Sequence, residues 1–127
     1  MNKTETITTP MAKVYYEDGI LYTEFIPKNP TMEDAQIHTD MVNEHFSDYE
    51  LVLSLVDSSK SGHNMNKAVR DYMAESTIPT MRAVAVLTAS GAARIAGNLF
   101  LQFFKPKYQI KMFTEREKAM AWLTEHR

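Results

Sequence analysis

Two short runs dominate the middle of the chain. Leu51–Val56 reads LVLSLV and Arg82–Thr88 reads RAVAVLT. A run of that length, apolar and almost free of charge, cannot lie on a surface with one face in water. It reads as a strand covered on both faces, the habit of parallel sheets. Parallel strands need long crossovers, and the segments around these runs are helical in pattern. This alternation excludes an all-β sandwich and a simple helical bundle.

The other segments complete the order. Ala12–Glu17 and Ile20–Ile26 are β-rich and joined by Asp18-Gly19, the strongest short hairpin signal, because both central residues need positive φ. Asn29-Pro30 breaks the chain. Thr31 and Asp34 have capping-box spacing, so a helix is expected from Met32 to about Ser47, with Met32, Ala35, Thr39, Val42 and Phe46 on its inner face. A helix over Asn66–Glu75 follows the first buried run. Another runs from Ser90-Gly91 to about Phe104, where Lys105-Pro106 stops it. Tyr108–Phe113 is the final strand. Thr114 and Glu117 suggest a second capping box, opening a helix that buries Ala119, Trp122 and Leu123. The expected fold is one α/β domain over residues 12–127, preceded by a polar tail over residues 1–11. Its sheet is five-stranded and mainly parallel, with the first hairpin strand antiparallel at an edge and four helices.

Composition narrows the function. The 127 residues include no cysteine, so thiol chemistry, disulfides and thiolate metal sites are excluded. A net charge of −2 argues against a dedicated nucleic-acid binder. That near-neutral total hides a split. Residues 1–64 carry 4 Lys/Arg against 11 Asp/Glu, and residues 65–127 carry 10 against 5. Such asymmetry favours self-association or an acidic partner, unless the fold mixes the halves on one surface. The first thirteen residues are polar and no apolar stretch is long enough to span a bilayer, so a cytoplasmic setting is expected.

Together these segments resemble the SpoIIAA-like proteins, a branch of the STAS superfamily. The resemblance rests on the Glu17-Asp18-Gly19 turn, TMEDA opening the first helix, LVDSS after a buried strand, AVAVLTAS before a helix, GNLFLQFFKPKY, and the closing KMFTEREKAMAWL. It implies a (β/α) superhelix with strands in sequential order and helices mainly on one face. It also implies a non-enzymatic binding or regulatory module, engaging a hydrophobic ligand, a membrane surface or a protein partner. In the phospho-regulated relatives the pattern D-x-S precedes a phosphoacceptor Ser. Asp57 and Ser59 match the first part, but the acceptor position falls on Asn66, which cannot be phosphorylated. A phospho-switch would have to use Ser58, Ser59 or Ser61.

Open α/β sheets bind ligands outside the carboxyl ends of their strands. Asp57 sits there. It can serve as a base or metal ligand, or accept N–H groups and cap its own loop. His63 follows in the same loop, where it can approach an anion or remain solvated. Ser90 opens a helix whose N-terminus can attract an anion, with Arg94 one turn on. His38 and His45 are seven apart, too far for one zinc ion, and read as a partly exposed flank. No phosphate loop, dinucleotide fingerprint or nucleophile elbow occurs, so no cofactor, metal or catalytic residue is expected.

The helix Ala92–Phe104 carries the clearest functional signal. Ala92, Ala96, Leu99 and Phe103 share one face, Gly97, Phe100, Leu101 and Phe104 widen the apolar arc, and Arg94, Asn98 and Gln102 form a polar strip. The arc exceeds what a single core contact needs. Its excess must meet another element of the same domain, a second copy in a homodimer, a hydrophobic ligand or a membrane. Lys105 and Lys107 border it and suit anionic headgroups. Among nine methionines, Met41, Met65, Met73, Met112 and Met120 can line an adaptable surface or fill core gaps.

Overall fold

The computed structural model describes residues 6–60, 66–76, 78–101 and 108–127, with the side chains of residues 96, 97 and 99–101 outside that description. The strands are β1 (Ile7–Thr8), β2 (Ala12–Glu17), β3 (Ile20–Phe25), β4 (Leu53–Asp57), β5 (Ala83–Leu87) and β6 (Gln109–Phe113). The helices are α1 (Met32–His45), α2 (Lys67–Glu75), α3 (Gly91–Leu101) and α4 (Arg116–Thr124). One sheet has the strand order β1-β2-β3-β4-β5-β6. The first two pairings are antiparallel and the remaining three parallel.

The hairpin forms as its residues dictate. Asp18 has φ 51° and Gly19 φ 81°, the left-handed pair that lets a two-residue turn follow the strand twist. The sheet has one strand more than the sequence suggests. Ile7 and Thr8 pair with Val14 and Lys13, and Thr9 and Met11 are buried, so residues 7–11 belong to the sheet edge instead of a tail. A two-residue strand inside a polar segment leaves no periodic signal.

Strand alternation divides the core. On one face Ile20, Tyr22, Leu53, Leu55, Ala83, Ala85, Leu87 and Phe113 pack with Ala119 and Leu123 of α4. On the other, Val14, Tyr16, Leu21, Leu51 and Val84 pack with Val42 and Phe46 of α1. Ala35 of α1 and Val69 of α2 meet beneath Met11, with Met73 filling in beside them. The α1 capping box is present: Thr31 Oγ1 accepts from Asp34 N at 3.0 Å and Asp34 Oδ2 accepts from Thr31 N at 3.0 Å.

Two local expectations need correction. The second capping box does not form, because α4 starts one residue later with Glu115 as its N-cap and no side-chain cap bond. Glu117 then stands one position too early to reach back. His38 is not a partly exposed flank: it is 5% exposed, whereas His45 is exposed. Thr9 Oγ1 accepts from Met11 N at 3.2 Å and Ala12 N at 3.0 Å, and contacts His38 Nδ1 at 2.7 Å. The hydroxyl also donates to Ala12 O at 3.3 Å, so it is bonded on every side. Burial alone lowers its pKa to about 4.

Among the described residues no helix is long and apolar enough to cross a membrane.

Candidate functional site

The sequential order β3-β4-β5-β6 has no reversal. Consecutive crossovers of one hand leave the same side, and the crevice that opens where strand order reverses is not generated. The carboxyl ends therefore form a row, Glu24, Asp57, Leu87 and Phe113, instead of a cleft.

Asp57 is the last residue of β4, not the first of a loop. The pleat sends its side chain to the α4 face, with Leu53 and Leu55. Its Oδ1 accepts from Ser59 N at 2.9 Å and from Ser59 Oγ at 2.6 Å. That is a closed Asx turn, in which the carboxylate caps its own loop. Ser58 turns the other way, and both its N–H and its hydroxyl donate to Leu87 O, at 3.0 and 2.7 Å. Asp57 and Ser59 are thus brought together, and their nearest chemistry is with each other. The register also places Glu24 of β3 beside Asp57. Sequence reasoning missed this neighbour because only strand pairing brings it close. Two carboxylates do not make a cation site, and no group of three or more metal-ligating side chains occurs among the described residues.

Asn66 caps α2, its Oδ1 accepting from Val69 N at 2.9 Å. The residue at the phosphoacceptor position is therefore spent on helix geometry. Ser90 does the same for α3, where its Oγ accepts from Ala93 N at 3.1 Å. Its hydroxyl fills one of the N–H positions an anion would use. Arg94 is half-buried one turn along. Ser61, His63, Phe104, Lys105 and Lys107 lie outside the described residues, as do the side chains of Phe100 and Leu101.

The element that departs most from its expected pattern is α3. It lies against β6. A polar strip on such a helix ordinarily faces water. Here Asn98 is turned inward: its Nδ2 donates to Met112 O at 3.3 Å and its Oδ1 accepts from Met112 N at 2.9 Å. Ile95 is 60% exposed, the most exposed large apolar side chain among the described residues, and Ala92 beside it is also exposed. Asn98 is spent on the sheet edge, while Ala92 and Ile95 face out. The arc was legible in the sequence. Its orientation was not, because nothing local reveals that Asn98 meets a strand edge.

A second polar group lies over β2 and β3. Tyr15 and Tyr22 stack at 4.8 Å between ring centroids, and the Arg116 guanidinium lies 5.4 Å from the Tyr22 centroid. Burial pushes the Tyr22 phenol up from its ordinary value, against the opposing pull of Arg116. The hydroxyl donates to Met120 Sδ at 3.9 Å. This is not an activated phenol.

No curated protein matches the chain. A crystal structure of an uncharacterized protein of the DUF3478 family, with a SpoIIAA-like fold, from Shewanella loihica PV-4 superposes with a TM-score of 0.63. The two share 16% sequence identity, and the match covers 86% of this chain and 84% of that one. At that identity the likeness establishes the SpoIIAA-like fold, in agreement with the segments that carried the resemblance. The family model that matches residues 14–127 is described as "Domain of unknown function (DUF7793)", and the chain belongs to that family.

Proposed function

We propose that the chain is a non-enzymatic binding domain that engages an apolar surface through α3. That surface is a hydrophobic ligand or the boundary between headgroups and acyl chains of a membrane, and the domain works as a homodimer. One observation carries the reading. The most apolar helix of the sequence turns its amide, Asn98, onto the sheet and leaves Ile95 60% exposed. Lys105 and Lys107 follow α3 in sequence and supply cations suited to anionic headgroups. The carboxyl-end side chains support a binding role over a catalytic one. Asp57 closes on Ser59, and Ser90 on its own helix. A phospho-regulated switch finds less support, since Asn66 is a helix cap and Ser58 and Ser59 are already bonded.

The test is co-sedimentation with vesicles of mixed neutral and anionic phospholipid, alongside fluorescence of an apolar probe and light scattering. Binding by the native chain and its loss in Ile95→Asp are expected. A monomer that takes up neither vesicle nor probe overturns the reading. A protein that binds probe but not vesicles is a small-ligand binder.

A further inference from the structure

β6 ends the sheet. Its N–H and C=O groups alternate between β5 and the open side. Gln109 N bonds Arg82 O at 3.0 Å, and Phe113 O accepts from Thr88 N at 2.8 Å, so these two residues face β5. Met112, between Lys111 and Phe113, faces away. An edge residue of this kind is a ready template for another strand. Here it is taken: the Asn98 amide supplies one donor and one acceptor to Met112, as a hydrogen-bonded residue of a neighbouring strand does.

We propose that Asn98 stands in for a seventh strand, closing the β6 edge and keeping two copies of this chain from joining their sheets β6 to β6. The occupant it excludes is a second copy, for a geometric reason. An antiparallel pairing with its two-fold axis at Met112 sets Met112 against Met112 as a hydrogen-bonded pair and Lys111 against Phe113 of the other copy. Lys111 is the only charged residue of β6, and in the single chain its Nζ already lies 5.5 Å from the centroid of the Phe113 ring. Self-pairing therefore brings the one charge to an aromatic face instead of to its like. Nothing in β6 itself forbids the join. The inference concerns the strand edge and is independent of what the outer face of α3 binds.

The test uses the full chain and reads mass by light scattering after size exclusion, with hydrogen exchange over residues 109–113. Asn98→Ala removes both bonds and favours the helix, so retained far-UV dichroism is expected. Its mass should rise to twice that of the unsubstituted chain or more, with the Met112 amide protected in the associated form. Adding Met112→Pro should return the mass to the starting value. That proline deletes the outward N–H and leaves the β5 bonds intact, the place where edge strands tolerate proline. An Asn98→Ala protein of unchanged mass and unchanged Met112 exchange overturns the proposal. So does an association that survives Met112→Pro, since it would use some other surface. Vesicle binding plays no part in either readout, so this proposal and the binding role of α3 fail separately.

Discussion

α3 and α4 flank the same end of the sheet, yet they are held in opposite ways. α4 is mixed in composition, with charges at Arg116, Glu117 and Lys118, but it lies across β4, β5 and β6 and buries Ala119 and Leu123 completely. Its far end is clamped as well. Arg82 Nη1 donates to His126 O at 3.1 Å, and Arg127 Nη2 donates to Asp18 O at 3.0 Å in the hairpin turn. α3 has the more apolar sequence and the smaller hold. It leans on β6, and an amide makes its identified link to the strand. Total hydrophobicity therefore does not decide which helix is core. What decides is whether the apolar residues coincide with the face the crossover presents to the sheet. In α4 they do. In α3 the polar Asn98 faces the sheet edge, and apolar Ile95 is left in water.

The largest expected effect breaks the α4 side. Leu123→Ala empties a fully buried position between β4, β5 and α4 and should cost roughly 3 kcal/mol, read as a lower urea midpoint with unchanged slope. Ile95→Ala, on α3, removes a comparable side chain and should stay within about 0.5 kcal/mol. Equal losses would erase the distinction between the helices.

α1 extends the comparison, because its hold includes a titratable group. The His38 pKa is lowered to about 4 in the folded chain, against 6.5 for the free side chain. The unfolded chain therefore binds the proton more readily. Stability is undiminished above pH 6.5, declines as the pH falls, and levels off below about 4, with a total loss of up to about 3 kcal/mol. Urea midpoints between pH 7 and 4 measure it, and His38→Gln should flatten that part of the profile. A slope that persists in His38→Gln would mean that other groups carry it.

The two predicted capping boxes give a smaller, paired test. Thr31→Ala should cost about 1 kcal/mol, because Asp34 N loses its Oγ1 acceptor while the bond from the residue 31 backbone N–H to Asp34 Oδ2 remains. Thr114→Ala should cost less than about 0.5 kcal/mol, because α4 is capped at Glu115 without a side-chain bond. Similar losses would place Thr114 back in a cap.

These cases mark what sequence can carry. The hairpin, the buried strands and the α1 cap rest on local chemistry: positive φ at Asp18 and Gly19, uncharged apolar runs, a Thr three residues before an Asp. All were legible. His38 was within reach too, since Ala35, His38 and Val42 recur at helical spacing and all three are buried. Grouping it with His45 as one partly exposed flank diverted attention from that face. Other features depend on pairing between distant segments. Glu24 meets Asp57 only through the β3–β4 register, and Asn98 meets Met112 only once α3 settles on the β6 edge. Ile7–Thr8 becomes a strand because β2 offers an edge, not because its residues alternate. Of the site named from sequence, Asp57 and Ser59 meet in a self-capping turn and Ser90 caps its own helix, while Phe104, Lys105 and Lys107 lie outside the described residues.

The smallest effect on stability should carry the largest effect on binding. Ile95→Asp puts a charge where a side chain is already 60% in water, so it leaves no buried charge and no cavity. Its cost to folding should be within about 0.5 kcal/mol. The same change opposes insertion into acyl chains or an apolar ligand, and its negative charge repels anionic headgroups. Vesicle and probe binding should fall while the urea midpoint holds. Glu117→Gln, at an exposed site on α4, removes a charge there and should leave both readings where they were. A protein in which Ile95→Asp unfolds the chain would place Ile95 in a core, and α3 would then be held as α4 is. A protein in which it changes neither reading would leave the exposed face of α3 without a partner. Only loss of binding at constant stability separates a helix that holds the fold from one that the fold holds out.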